Sequence, residues 1–209
     1  MRSLFIAISF ILLPTAAASA KGDEGLYATD IGHPNTVHLR TNLLYDACLL
    51  PNVGMEWKLA DRYTLVTSVM GTWLSSRPKN RFWRINAAEV ELRRWHGGFF
   101  DAFATQGFHY GVYASCGRFD LEWGGKGQMS DFSYSGGLAL GYAFPIGRKL
   151  SIDASASVGY VGGKYKEYEP ENGLYVWKAD KQRHYFGPTR AELTLVWHVE
   201  LGKGKGGAQ

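Results

Sequence analysis

The fold is decided by residues 107–160, which read GFHYGVYASCGRFDLEWGGKGQMSDFSYSGGLALGYAFPIGRKLSIDASASVGY. Two kinds of side chain alternate through most of this stretch. Large apolar and aromatic residues, with some Ala, take one set of positions, namely Phe108, Tyr110, Val112, Ala114, Phe132, Tyr134, Leu138, Leu140, Tyr142, Phe144, Leu150, Ile152, Ala154, Ala156, Val158 and Tyr160. The positions between them hold mostly small or polar residues, including His109, Gly111, Tyr113, Ser115, Gly137, Gly141, Asp153 and Ser157. Successive side chains leave a strand on opposite faces, so this period of two predicts three β-strands.

The chemistry of the two faces indicates which one points inward. A soluble β-sandwich places its bulky residues inside and usually exposes Lys, Glu and Thr. A face of Ser, Gly and Ala instead suits the crowded interior of a narrow barrel. An apolar face that ends in aromatic residues suits contact with lipid. The stretch therefore predicts part of a β-barrel whose apolar side is outside.

The rest of the chain continues the same pattern. Further strands are predicted over residues 36–45, 52–59, 63–73, 82–95 and 189–201. Residues 75–81, 121–131 and 161–188 are predicted as loops at one end, whereas two of the connections at the other end, 60–62 and 145–148, are tight turns. Short turns at one end and long loops at the other are typical of outer-membrane barrels. The sequence predicts an all-β fold, an antiparallel up-and-down transmembrane β-barrel with eight strands.

The first residues predict export from the cytoplasm. Arg2 precedes an apolar run over residues 4–13, and Ala18-Ser19-Ala20 forms a small-residue cleavage site, so residues 1–20 resemble a secretory signal peptide. An N-terminal anchor helix is the alternative, but the apolar run is too short to span a membrane. The domain plan is a signal peptide at 1–20, a periplasmic lead-in at 21–35, an outer-membrane barrel at 36–201 and a flexible tail at 202–209.

Net charge and cysteine content bear on two further questions, nucleic-acid binding and disulfide formation. The net charge of +4 is mild and comes partly from the Lys-containing tail, so no nucleic-acid partner is predicted. Export permits a disulfide between Cys48 and Cys116. Two unpaired thiols are slightly favoured, because Cys48 falls in a predicted loop and Cys116 well along a strand.

Charged residues recur at inward positions of the predicted strands. They are Arg40, Glu56, Lys58, Glu89, Glu91, Arg93, Asp153, Arg190 and Glu192. Isolated buried charges are costly, so such groups persist when they are paired or hydrated. An eight-stranded barrel is only wide enough for side chains. A structural network of ion pairs is therefore favoured over an ion or proton path.

The predicted loop 161–188 alternates Tyr with charged residues, which suggests a β-hairpin that projects above the membrane. Its candidate binding residues are Tyr165, Tyr168, Tyr175, Trp177, Arg183, His184 and Tyr185. Tyr, Trp and Arg dominate binding hot spots. Aromatic residues also favour the membrane interface. A binding surface and a rigid interfacial cap remain equal alternatives at this point.

No catalytic or metal-binding signature occurs in the sequence. His109, His184, Asp120, Glu122 and Glu167 offer acid–base chemistry, but none has a recognisable spacing. The six His are scattered, without the spacing of metal ligands. The sequence predicts no enzyme activity, no catalytic residues, no metal and no cofactor.

Five motifs carry a resemblance to a known family. They are RTNLLYDA at 40–47, PNVGME at 51–56, RFWRI at 81–85, VGYVGGKYKEY at 158–168 and RHYFGPT at 183–189. The chain resembles, over residues 36–200, an uncharacterised family of outer-membrane β-barrel proteins of Gram-negative anaerobes, a domain of unknown function. The resemblance implies fold and location, and it suggests a link to fimbrial or surface assembly.

The function expected from the sequence is that of an outer-membrane barrel with a structural or surface-interaction role. Its partners would be outer-membrane lipid and an extracellular or fimbrial protein. The alternatives are an outer-membrane enzyme acting at the extracellular rim and a soluble exported barrel that carries a small ligand. The sequence leaves the ligand and the oligomeric state open.

Overall fold

A computed structural model describes residues 36–60, 62–76, 78, 80–96, 106–147, 149–171 and 174–200. The predicted signal peptide 1–20, the lead-in 21–35, the tail 202–209 and the connection 97–105 lie outside the described residues.

Eight antiparallel strands form one closed ring in the order β1-β2-β3-β4-β5-β6-β7-β8, and β1 pairs with β8. The strands are β1 (Thr36–Asn42), β2 (Asn52–Ala60), β3 (Tyr63–Ser76), β4 (Arg81–His96), β5 (Gly107–Glu122), β6 (Gly127–Pro145), β7 (Leu150–Glu171) and β8 (Leu174–Glu200). The predicted eight-stranded up-and-down barrel is confirmed. We call the end that carries the β1–β2, β3–β4, β5–β6 and β7–β8 connections the distal end.

A short helix ends the first strand earlier than predicted. Strand 36–45 stops at Asn42, and α1 (Leu43–Ala47) follows. The Asn42 side chain accepts a hydrogen bond from the Leu44 backbone N–H, as a residue that caps a helix N-terminus does. This local bond competes with strand pairing, which explains the early end. Within the described residues, no helix is sufficiently long and apolar to cross a membrane.

Within the predicted loop 161–188, the described residues 161–171 and 174–188 are strand. β7 is 22 residues long and β8 is 27, and their ladder continues from the pair Val161↔Tyr185 to the pair Glu171↔Leu174. The loop assignment was therefore wrong, while the suggested hairpin is confirmed. We call residues 161–171 and 174–186 the distal hairpin. The predicted loop 121–131 is also shorter, because β5 ends at Glu122 and β6 begins at Gly127.

The two faces of the strands are oriented as the alternation indicates. Val112 and Leu138, for example, are 53% and 60% exposed on the outside. Glu56, Arg93 and Asp153 are each only 1% exposed inside. Glycines allow close approach of neighbouring strands: a Cβ on Gly137 would lie 2.2 Å from the Val158 carbonyl oxygen. The core of this molecule is polar, and its apolar surface is external.

Candidate functional site

A buried carboxylate on β7 is the centre of the barrel interior. Asp153 Oδ2 accepts hydrogen bonds from Arg40 Nη2 and from Arg93 Nη1, both at 2.6 Å. Its other oxygen, Oδ1, lies 2.8 Å from His109 Nε2. β1, β4, β5 and β7 thus converge on one side chain. Because every partner is itself buried, the charges are compensated inside the barrel rather than by solvent.

Further ion pairs extend from the two arginines toward both ends. Arg93 Nε donates to Glu91 Oε1 at 2.7 Å, and Arg40 pairs with Glu56. Thr64 Oγ1 donates to Glu56 Oε1 at 2.6 Å and accepts from Trp95 Nε1 at 2.9 Å. These bonds satisfy buried polar groups that would otherwise be strongly destabilising.

A second centre lies on β8. Arg190 Nη2 donates to Glu91 Oε2 at 2.7 Å, and Arg190 also pairs with Glu89. Its guanidinium carbon lies 3.9 Å from the ring centroid of Tyr113. Glu89, Glu91 and Glu192 place carboxylate oxygens within 4.8 Å of one another. Arg190 contacts all three, so the cluster is explained by an internal cation.

Most of the predicted interior residues therefore meet in one network. Glu192 lies at its edge, 3.9 Å from Arg190 and 3.1 Å from the Ser155 hydroxyl. Lys58 is half-buried and forms no ion pair with any described residue. Sequence reasoning did not assign His109, Thr64, Trp95 or Tyr113 to the network. The alternation in β5 places His109 and Tyr113 on the inward face, and this pattern could have assigned both to the network.

A small cavity lies in the barrel interior. A cavity of about 30 Å³ lies near the distal end, below Tyr45 of α1, and is lined by Arg40, Asn42, Asn52 and Glu192 among others. Such a volume suits one or two water molecules, whereas ligand pockets are typically about 300–1,000 Å³. This cavity is therefore too small for a typical ligand.

The predicted binding residues are distributed over the distal hairpin. Arg183 lies 5.5 Å from the Phe119 ring centroid and 5.1 Å from that of Tyr165. Trp177 is 59% exposed and has the Lys166 ammonium 5.3 Å from its ring.

The other predicted binding residues contact neighbours within the barrel rim and the hairpin. His184 Nδ1 lies 2.5 Å from the Tyr160 hydroxyl. Tyr185 donates to the Pro188 carbonyl at 3.2 Å. Tyr168 and Tyr175 make a ring contact at 5.6 Å.

The histidines considered for acid–base chemistry lie in different parts of the described structure, His109 on β5 in the barrel interior and His184 on the distal hairpin. His109 is fully buried, with Trp95 and Asp153 against it. On the distal hairpin, the described partner of His184 is the Tyr160 hydroxyl, and Glu167 pairs with Lys181 at 2.6 Å. Cys48 and Cys116 are both exposed free thiols.

The closed ring with a charged interior defines a β-barrel protein. The chain belongs to the family described as "Protein of unknown function (DUF3575)", whose model matches residues 8–199. No curated protein matches the chain. The match confirms the part of the resemblance that concerned a domain of unknown function.

Proposed function

We propose that this protein is an outer-membrane β-barrel that presents the distal hairpin at the cell surface as a binding platform. The observation that carries the proposal is an apolar band that continues around the outside of the closed ring. Its members on β2 to β8 include Val53, Val69, Val90, Val112, Leu138, Val158 and Trp197, which are 42% to 60% exposed. A band of this extent on every one of these strands is unfavourable in water and favourable in lipid.

Aromatic residues flank the band on both sides. Tyr63, Phe108 and Phe144 lie toward the end that carries the termini and are 41% to 50% exposed. Trp73, Phe132 and Phe186 lie toward the distal end and are 61% to 78% exposed. Two aromatic girdles are typical of transmembrane barrels, because such rings favour the headgroup region. A soluble ligand carrier would require the opposite orientation of the faces.

The distal hairpin supports a binding role. A strand of about 9–11 residues crosses a bilayer, whereas β7 has 22 residues and β8 has 27. The surplus extends beyond the band and presents Leu174, Tyr175 and Trp177, which are 43% to 70% exposed. An exposed apolar and aromatic tip is costly unless a partner covers it. We infer an extracellular protein as the partner and a non-catalytic role for the chain.

A crosslinking experiment on intact cells tests this role. A photoreactive amino acid replaces Trp177 in one variant and Leu138 in the matched control. The hairpin position is expected to give a protein adduct of one defined mass, and the band position is expected to give lipid adducts only. Replacement of residues 164–182 by an Asn-Gly turn, which joins the paired Gly163 and Arg183, should remove surface binding and leave the barrel folded. No protein adduct from position 177 would reject the platform.

A further inference from the structure

Glu122, at the distal end of β5, has an unusual environment. Glu122 is 1% exposed, and neither of its carboxylate oxygens has a hydrogen-bond partner among the described residues. A buried carboxylate without a partner is strongly unfavourable, so natural proteins either pair such a group or use it. The interior network of the barrel pairs comparable groups, which makes Glu122 an exception.

The neighbouring charges do not compensate Glu122. Asp120 accepts from Arg84 Nη1 at 3.0 Å and from the Tyr168 hydroxyl at 2.5 Å, so both of its oxygens are occupied. Arg84 is thus one cation beside two carboxylates. Two nearby cations have contacts elsewhere: Lys126 lies 3.7 Å from Glu169, and Arg81 stacks on Trp123 at 4.7 Å. Among these described groups, the Glu122 carboxylate is the one without a hydrogen-bond partner.

Three aromatic rings lie in the same part of the rim as Glu122, and the Arg84 guanidinium lies 4.1 Å from the ring centroid of one of them, Phe82. Phe82 is the register partner of Glu122 on β4, and the Tyr175 ring lies 5.4 Å from the Phe82 ring. Tyr168 meets Tyr175 edge-on at 5.6 Å. On β6 the register partner of Glu122 is Gly127, where a Cβ would lie 2.1 Å from Tyr168 Cζ. The glycine therefore lets the Tyr168 ring cross β6 and reach Asp120.

We propose that this rim cluster, formed by Phe82, Asp120, Glu122, Tyr168 and Tyr175, binds an organic ammonium group such as a lysine side chain. A carboxylate beside aromatic rings attracts organic cations, because the carboxylate supplies the opposite charge and the rings supply cation–π contacts. A hard metal ion fits less well, because Ca²⁺ takes 6–8 oxygen ligands and the Asp120 oxygens are already used. Tyr175 is 43% exposed and forms the outer cover of the cluster. The proposal stands on the geometry of Glu122 and does not depend on where the barrel resides.

The test uses the full chain folded in detergent micelles and saturation-transfer NMR. The probe is Nα-acetyl-lysine N-methylamide, and the isosteric norleucine compound is the neutral control. The lysine compound is expected to bind and the norleucine compound is not. Glu122→Gln removes the charge with little change in shape and should weaken binding at least tenfold. Glu171→Gln, at an exposed glutamate that pairs with Lys178, should leave it unchanged.

Each result decides the proposal. Absence of lysine binding to the wild type, equal binding of the norleucine compound, or full affinity in Glu122→Gln would overturn it. Binding of CaCl₂ that depends on Glu122, without lysine binding, would also overturn the ammonium assignment. If Glu122→Gln does not fold, Tyr175→Ala provides the test, because an exposed ring can be removed. That variant should fold and bind the lysine compound at least threefold more weakly.

Discussion

Arg93 and Asp153 meet at 2.6 Å although their strands, β4 and β7, are not neighbours in the ring. The ion pair therefore crosses the lumen and joins opposite walls of the barrel. Arg40 and His109 contact the same carboxylate. One side chain thus ties together several strands that the backbone ladder does not connect.

Asp153→Asn is expected to destabilise the barrel strongly. The substitution leaves Arg40 and Arg93 buried beside a neutral group, and breaking a buried pair in this way costs about 3–5 kcal/mol. Denaturant unfolding of the refolded protein in detergent measures the change. Asp180→Asn, at an exposed position of the distal hairpin, is the matched control. A loss below about 0.5 kcal/mol for Asp153→Asn, the usual range for surface sites, would show that the network is not needed for stability.

Gly137→Ala should disturb the packing of β6 against β7. The new Cβ would lie 2.2 Å from the Val158 carbonyl oxygen and 2.5 Å from Gly159 Cα, and neither backbone atom can move easily. Overpacking of this kind costs about 1–3 kcal/mol. At Gly147 a Cβ meets no atom within 4 Å, so Gly147→Ala is the control. Equal unfolding midpoints for the two variants would contradict the close approach of the strands.

Leu138→Arg tests whether the exposed band contacts lipid. Leu138 is 60% exposed on the outside, and an arginine on the lipid face of a barrel near the midplane costs about 2–4 kcal/mol. Leu174→Arg, at a residue that is 70% exposed on the distal hairpin, should cost little. Both variants are refolded into phosphatidylcholine vesicles and compared by denaturant titration. Equal stability of the two variants would indicate that water surrounds the band.

Glu122→Gln should change how stability depends on pH. Burial, followed by the negative charge of Asp120, raises the pKa of Glu122 above its ordinary value of 4.5. The native state then retains a proton that the unfolded chain releases, so the wild type loses stability as pH rises above 4.5. The glutamine variant lacks this loss, so the stability difference in its favour should grow as pH rises above 4.5 and level off above the raised native pKa, and it should not change with pH below 4.5. Unfolding curves from pH 4 to pH 8 measure the difference, with Glu171→Gln as control. A constant difference across this range would refute the raised pKa.

The sequence predicted the ring and its faces because both follow from local alternation. Ser and Gly opposite Leu, Phe and Tyr specify inside and outside residue by residue. The same phase placed Glu56, Glu91, Arg93 and Asp153 inside. The pairing partners were not predictable, because the contact of Arg93 with Asp153 depends on the tilt and stagger of strands across a closed barrel.

The errors concern places where local and long-range pairing compete. Tyr and charged residues in 161–188 have no apolar face that would indicate a strand in lipid, yet the continuous ladder with β8 extends β7 to Glu171. Asn42 ends β1 by capping α1, which a strand pattern alone does not show. The rim cluster was missed as well, because Phe82, Glu122 and Tyr168 come from three distant segments that only the barrel brings together.

The most direct test of the central proposal is fractionation of cells that express the full chain, combined with gel mobility of boiled and unboiled samples. An outer-membrane barrel predicts that the protein is recovered in the outer-membrane fraction and that the unboiled form migrates differently from the boiled form. A soluble periplasmic protein without a mobility difference would contradict the proposal. The apolar band would then need another explanation.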